Sequence, residues 1–510
     1  MKYIVLLLFG GMTAMLLVLS AASTVYIDQG GNLSFFNDSV LKHVLVILAV
    51  IAAGVFVRYA FARRSGFHGF RKVMIILTII NMIALSIWVL VTQFIPGSDQ
   101  QYIIESVTAL LAGDVTPWKA EGSGGFGGYM FLYPFQNALA LLEYLLAKVV
   151  GNVPFIGMQI ANIIFLILGL WAIYRTFRLM KVSEKVSACI YLLMPVWFPI
   201  ASYVTFVYGN LMGFGLAMLA VMCMYLYFDC CKCRYMICSA LLIGLAIALK
   251  SNYLIIMIAM MILIVYDSIH RKNIKTAAWI LALLVSYLGI YHGTDLIMEQ
   301  LTDTPTPAGI PKSAWVYMGI TGDADSRYGW FDGYNVYIYR KTGFDYDASK
   351  AKIADGIQQR ITEFVKKPVY TAQFFKKKIQ SIWSEPTFQC FNLITMRESR
   401  ITIPEAVNEV IRDGRTTNEI LRELLNMMQT LVYFGAFAYV LLNWRNLDLY
   451  QLIFAIIFIG GFLFHLAWES KGQYTIIYFY MIIPYAICGW NDIFVKAANK
   501  LGDRHGKVKV

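Results

Sequence analysis

From its third residue almost to its end, the chain is built of apolar runs close to the length that crosses a bilayer, about 20 residues. They fall at residues 3–20, 44–62, 73–95, 158–171, 187–206, 211–228, 236–249, 253–266, 277–293, 427–442, 452–468 and 475–490. Composition agrees: only 15% of the 510 residues are charged, against roughly a quarter in a soluble domain, and the mean hydropathy is +0.61. The expected fold class is therefore all-α and polytopic, with about a dozen transmembrane helices. The formal net charge of +12 needs no nucleic acid to explain it, because Lys and Arg concentrate in short loops between the apolar runs, as membrane orientation requires.

Those loop charges set the direction of each run. Residues 3–20 are read as an uncleaved first helix rather than a signal peptide, and residues 27–42 as an outer loop. The second run returns to Arg58, Arg63, Arg64, Arg71 and Lys72, a cytoplasmic cluster, so the third exits at Pro96-Gly97-Ser98-Asp99. Residues 136–150 are apolar but short, with Glu143 and Lys148 inside them. Laid in the interface, they keep Arg175, Arg178, Lys181 and Lys185 cytoplasmic; spanning, they would strand those charges outside. The interfacial reading is preferred. Both termini are then cytoplasmic, with Lys496, Lys500, Lys507 and Lys509 in the tail. The division expected is residues 1–72 as two N-terminal helices and 73–294 as a membrane core with a first outer loop at 96–155. Residues 295–426, too long for a plain connection, form a small extracytoplasmic domain, and 427–510 hold the last helices and the basic tail.

Polar groups from distant segments collect at the outer helix ends: Asp99, Lys250, Arg327, Asp332, Glu469 and Lys471. The cytoplasmic face collects only loop charges. Free nucleotides are not supplied on the outer side, so an enzyme there needs a donor carried in the membrane. A carboxylate where a helix leaves the bilayer is costly to desolvate, and Asp99 is the candidate general base; Ser98 and Asp99 equally suit an N-cap. Glu105 and Asp114 are weaker candidates. Lys250 interrupts an apolar stretch and can hold a phosphate as a point charge or snorkel to the interface. Glu469 and Lys471 form a tight turn between two runs. The segment Arg327-Tyr328-Gly329-Trp330-Phe331-Asp332-Gly333-Tyr334-Asn335 mixes aromatic and polar groups, which suits either a sugar site or the core of a small domain.

Several motifs carry little. The glycine-rich residues 122–128 do not sit between a strand and a helix and are read as a flexible loop rather than a phosphate cradle. Cys230-Cys231-Lys232-Cys233 lacks the paired spacing of a zinc site. The histidines show no metal-ligand spacing, and there is no serine nucleophile elbow or Walker loop.

An outward helix ending in Asp99 with Tyr102 three residues on, followed by Tyr133-Pro134 before a short helix, resembles the first outer loop of GT-C fold glycosyltransferases. Within them the chain is similar to the protein O-mannosyltransferase and aminoarabinose transferase group of the bacterial cell envelope. The segments that carry the resemblance are Tyr133-Pro134-Phe135-Gln136-Asn137, Phe206-Val207-Tyr208-Gly209-Asn210, Ala248-Leu249-Lys250-Ser251-Asn252, Gly329-Trp330-Phe331-Asp332-Gly333-Tyr334 and Trp468-Glu469-Ser470-Lys471-Gly472-Gln473-Tyr474. It implies a polyprenyl-phosphate sugar donor, a glycan, lipid or protein acceptor, inversion at the anomeric carbon, and Asp99 as base. Lys250, Lys471 and Arg327 would hold the donor phosphate; Tyr102, Glu469, Tyr133, Gln136, Asn252, Trp330, Asp332, Tyr334 and Asn335 would line the substrate site. Many relatives carry an acidic residue directly after the aspartate, where this chain has Gln100, and the extra N-terminal pair of spans is also unlike the simplest members. No cofactor and no metal ligand is assigned, and divalent-metal dependence stays open. The rival expectation is a transporter or flippase of lipid-linked sugars. A carrier should show two related halves and polar residues near midmembrane, and this chain shows neither. A third is a structural partner of an envelope assembly complex.

Overall fold

The computed structural model describes residues 1–61 and 70–504; Arg63, Arg64, Lys507 and Lys509 lie outside them. The protein is all-α and polytopic. Among the described residues ten helices are long and apolar enough to cross a membrane. They are Lys2–Ala22, Val40–Tyr59, Arg71–Thr92, Phe155–Leu179, Asn210–Cys230, Ser251–His270, Ile274–Thr302, Thr416–Asn443, Leu449–Ala467 and Gly472–Lys500. Cys233–Leu249 is apolar but shorter.

The remaining run, residues 187–206, is helical but interrupted. Glu184–Leu193 gives way to a 3-10 turn at Met194–Val196 and then to Phe198–Tyr203. Pro195 and Pro199 stand at the start of the two later pieces, where a missing N–H and a fixed φ suit a first turn but forbid an unbroken helix. Residues 27–42, expected to be loop throughout, contribute to a hairpin instead. Ser23–Ile27 pairs antiparallel with Leu33–Asn37, Val25 opposite Phe35, and Asp28 closes the turn by accepting the Asn32 N–H at 2.8 Å.

Small residues set the closest helix approaches, as is common between membrane helices. A Cβ on Gly215 would stand 2.4 Å from the Phe165 carbonyl oxygen, and one on Gly489 would stand 1.9 Å from that of Gly435. These contacts lock Asn210–Cys230 against Phe155–Leu179, and Gly472–Lys500 against Thr416–Asn443. Val40–Tyr59, Arg71–Thr92 and Ile274–Thr302 stand at the periphery and leave most of their apolar surface uncovered, a face suited to lipid.

The long segment between residues 302 and 416 divides physically in two. Its first part folds as Ser313–Gly319, Tyr334–Lys341 and Tyr346–Lys366 around a small core of Ile310, Trp315, Met318, Ile338, Tyr339 and Ile353, joined by Leu132 from the first loop. Its second part returns to the main core: Ile382, Trp383, Phe388, Phe391 and Ile411 are all buried there. Two helices reach beyond the expected edges of this segment, Ile274–Thr302 at its start and Thr416–Asn443 at its end.

Asn137–Val150 has 14 residues, a length of about 21 Å at the helical rise, short of the bilayer's roughly 30 Å hydrocarbon core. One face is buried and carries Glu143, whose carboxyl oxygens have no hydrogen-bond partner among the described residues. Burial pushes that carboxyl pKa well above its ordinary value.

Candidate functional site

Pro96 and Gly97 end the exit from the third membrane helix, and a new helix, Asp99–Leu111, begins at once. Ser98 stands at its N-cap with φ 57°, and no side chain caps it. Asp99 is thus the first helical residue, half-buried, rather than the capping group that its position also allowed. The start of this helix is fixed by Gln100. Its side chain is buried, and its amide oxygen accepts the Val207 N–H at 2.6 Å. Gln100 therefore joins the first loop to the segment Val207-Tyr208-Gly209.

That segment packs against the first cation, Lys250. Gly209 adopts the left-handed conformation, φ 75°, at the N-cap of Asn210–Cys230, and a Cβ there would stand 2.4 Å from the Leu249 carbonyl oxygen. Tyr208 and Lys250 are thereby packed together: the Lys250 Nζ lies 3.6 Å from the Tyr208 ring centroid and 5.5 Å from that of Tyr474. A cation over aromatic faces is attracted by the ring quadrupole, more so where water is excluded. The Gln136 side-chain amide donates to the Tyr208 hydroxyl at 2.6 Å.

The second cation comes from the turn after Leu449–Ala467. Lys471 Nζ lies 3.4 Å from a Glu469 carboxylate oxygen, 4.6 Å from the Phe331 ring centroid and 5.9 Å from that of Tyr474. Tyr474 thus stands within cation–π reach of both lysines. Beyond this ion pair the buried Glu469 oxygens have no hydrogen-bond partner. The turn is held by backbone bonds to the small domain: Glu469 N–H donates to the Trp315 carbonyl at 3.0 Å and Ser470 N–H to that of Gly329 at 2.7 Å.

The electrostatics tie these groups into one constellation. Burial draws the Lys250 pKa down to about 7; Lys471 adds to the fall, while Asp99 and Glu469 oppose it. Burial also disfavours the charged form of Lys471, but Glu469 and Asp99 outweigh it and hold its pKa above the usual lysine value. Glu469 is raised by burial, with Asp99 and Asp332 adding to the rise against Lys471. Burial and the nearby Asp99 carboxylate push up the Tyr133 hydroxyl, and those of Tyr129 and Tyr208 likewise.

An aromatic wall completes the site. Tyr102, exposed, stacks on Tyr129 at 5.4 Å, and Tyr129 lies 4.9 Å from Tyr133. Asn335 reaches the Tyr133 hydroxyl at 3.5 Å and keeps its own buried amide oxygen unpartnered. Asp332 is exposed and accepts the Tyr334 N–H at 2.9 Å, while Tyr334 packs 4.3 Å from Tyr317. Asn252 follows Lys250 in a short turn, and its carbonyl accepts the Tyr478 hydroxyl at 3.1 Å.

Two expected site residues are placed differently. Trp330 is no open platform: its indole is buried and its N–H donates to the Ser381 hydroxyl at 2.9 Å, because its strand-like bridge to Ser470 turns it toward the core. Arg327 is exposed and its guanidinium donates to the Phe331 carbonyl at 3.2 Å. In their place the structure adds Tyr129, Tyr208 and Tyr474, none of which was singled out by the charge and helix-end signals that mark Asp99, Lys250 and Lys471.

Such an arrangement holds one half-buried carboxylate near two cations packed among aromatic rings, with Glu469 beside Lys471. It can accept a proton and stabilise an anionic leaving group in one place.

No family model matches the chain, and no curated protein matches it in sequence. Among solved structures it is similar to ArnT from Cupriavidus metallidurans, solved bound to undecaprenyl phosphate. The identity is 11% over 84% of this chain and 78% of that chain, with a TM-score of 0.34. A likeness of that size leaves the chemistry to be argued from the residues themselves.

Proposed function

We propose that this protein is a membrane glycosyltransferase of the GT-C type. It moves a sugar from a polyprenyl-phosphate donor to a hydroxyl of an envelope glycan, lipid or protein on the outer face. The observation that supports this reading most directly is the convergence of Asp99, Lys250 and the Glu469–Lys471 pair, from three distant parts of the sequence, at a single end of the bundle. Asp99 takes the proton of the acceptor hydroxyl. The acceptor oxygen bonds to the anomeric carbon from the face opposite the phosphate, inverting it, while the bond from that carbon to the phosphate oxygen breaks. Lys250 and Lys471 stabilise the charge on the departing polyprenyl phosphate. A phosphate leaves without being protonated, so one carboxylate suffices, unlike the pair that glycoside hydrolysis needs. Tyr102, Tyr133, Gln136 and Asn335 line the sugar and acceptor space. On this reading both termini are cytoplasmic.

The test is transfer by the purified protein in lipid, supplied with polyprenyl-phosphate sugars and candidate acceptors. Sugar transfer with release of polyprenyl phosphate is expected. Asp99→Asn should lower kcat by about 10²- to 10⁴-fold, the usual worth of a general base, with fold and donor binding retained. Undiminished turnover in that variant removes Asp99 as base; counterflow of the lipid-linked sugar without transfer replaces the enzyme with a carrier.

A further inference from the structure

Lys378 lies outside the pocket, on Pro368–Trp383, and is wholly buried. Its ammonium has three N–H groups, and each meets a backbone carbonyl: that of Gly319, that of Leu466 at 3.0 Å and that of Trp468 at 2.9 Å. Leu466 and Trp468 stand at the C-terminal end of Leu449–Ala467, where the last carbonyls lack partners within the helix and a cation is favoured. Gly319 ends Ser313–Gly319 in the small domain. One side chain therefore bonds the end of a membrane helix to the small domain at the point where the chain enters the Glu469–Lys471 turn.

The packing around it is close. A Cβ on Gly319 would stand 2.2 Å from the Ala467 carbonyl oxygen, and one on Gly329 would stand 2.5 Å from that of Gly319 and 3.0 Å from Lys378 Nζ. Burial draws the Lys378 pKa down to about 7, with Glu469 resisting. An apolar side chain here would leave three buried carbonyls without this donor, and an unsatisfied buried acceptor is costly. The cheapest escape is for the turn to move.

We propose that Lys378 is a positioning residue: by bonding the carbonyls of Gly319, Leu466 and Trp468 it holds the turn that places Lys471 and Glu469 in the candidate site. The part of this claim that concerns donor binding rests on the function proposed above; the clamp itself does not.

The experiment therefore has two readouts on the full-length protein in lipid. The first is amide hydrogen exchange. In Lys378→Met the N–H groups of Glu469 and Ser470, which bond the small domain, should exchange at least about tenfold faster, as local opening requires, while amides inside Asn210–Cys230 keep their rates. Lys378→Gln, which retains two donors for three carbonyls, should lie between, and serves if the Met variant does not fold. The second is a double-mutant cycle on the dissociation constant for polyprenyl phosphate. Lys378→Met and Lys471→Met should each weaken binding, and the double variant should bind no worse than Lys471→Met alone, because a residue acting only through Lys471 has nothing left to position. Lys376→Met, exposed on the same helix, should change neither readout. Unchanged exchange at Glu469 and Ser470 overturns the clamp. Faster exchange with multiplicative losses in the cycle overturns its action through Lys471. Faster exchange in a protein that does not bind polyprenyl phosphate at all supports the clamp and overturns the donor reading.

Discussion

The Lys250 ammonium lies 3.6 Å from the centroid of the Tyr208 ring, whose hydroxyl accepts a 2.6 Å hydrogen bond from Gln136. Packing of this kind excludes water from a cation without giving it a carboxylate in direct contact, and its pKa falls to about 7. The protonated form binds an anionic phosphate; the neutral form does not. Affinity for polyprenyl phosphate should therefore decline as pH rises through about 7, and then level off rather than vanish, because Lys471 is held charged by Glu469. Titration of the dissociation constant between pH 5 and pH 9 checks this. In Lys250→Met the decline should disappear and the low-pH affinity should drop to the high-pH plateau.

The same residue makes a stability prediction of opposite sense. A lysine whose folded pKa lies below its unfolded value of 10.5 penalises the folded state wherever the unfolded chain is charged. Its contribution is intact above that unfolded value and is lost as pH falls through about 7. Lys250→Met should therefore unfold at a higher temperature than the native protein at pH 6–7, with the gap narrowing toward pH 10. A variant that binds donor worse and is yet more stable would mark Lys250 as kept for its function.

Glu469 is buried and its ion-pair partner Lys471 partly so, and removing one partner leaves the other without its countercharge. Glu469→Gln should destabilise the unliganded protein by about 3–5 kcal/mol. An anionic ligand then supplies the missing countercharge, so polyprenyl phosphate should raise the melting temperature of this variant more than that of the native protein. Thermal unfolding with and without the lipid measures both effects. An equal ligand-induced shift in the two proteins would separate Lys471 from the phosphate.

These groups were unequally legible in the sequence. Asp99, Lys250, Glu469 and Lys471 stand out because each interrupts or ends an apolar run, and a charge at such a point needs a reason. Tyr208 and Tyr474 enter only inside segments that carry the resemblance, and Gln100 only as a departure from it, since an aromatic or amide at a helix end is ordinary until a distant segment meets it. Gln100 contacts Val207 across 107 positions, a pairing no local pattern announces. For Trp330 the local pattern leaves two readings open, a sugar platform or the core of a small domain, and its bridge to Ser470 and its bond to Ser381 turn it inward. The run at 187–206 was read from hydropathy, which ignores that Pro195 and Pro199 break it.

Glu143 offers a test away from the pocket. Its carboxyl is fully buried on Asn137–Val150 with no partner among the described residues, and burial raises its pKa well above the ordinary carboxyl value. Such a group contributes fully only below its unfolded pKa and is a growing liability as pH rises toward its folded one. Glu143→Met should stabilise the protein at neutral pH by about 1–3 kcal/mol, with the gain shrinking toward pH 4. A loss of stability at neutral pH would mean that the carboxyl has a partner, such as bound water, that favours it there.

Gly209 connects backbone geometry to the site. Its φ of 75° is strained for any residue with a Cβ, at about 1–2 kcal/mol, and that Cβ would also stand 2.4 Å from the Leu249 carbonyl oxygen. Gly343 has a similar φ of 66° but open space around it. Gly343→Ala should therefore show the backbone strain alone, a loss of about 1–2 kcal/mol with donor affinity intact. Gly209→Ala should lose more stability than that. It should also weaken polyprenyl phosphate binding, because relief of the clash moves Leu249, and with it Lys250, away from Tyr208. Denaturant unfolding and lipid titration of the two variants side by side check the difference. Equal stability losses with equal affinities would show that the contact between Gly209 and Leu249 does not set the position of Lys250.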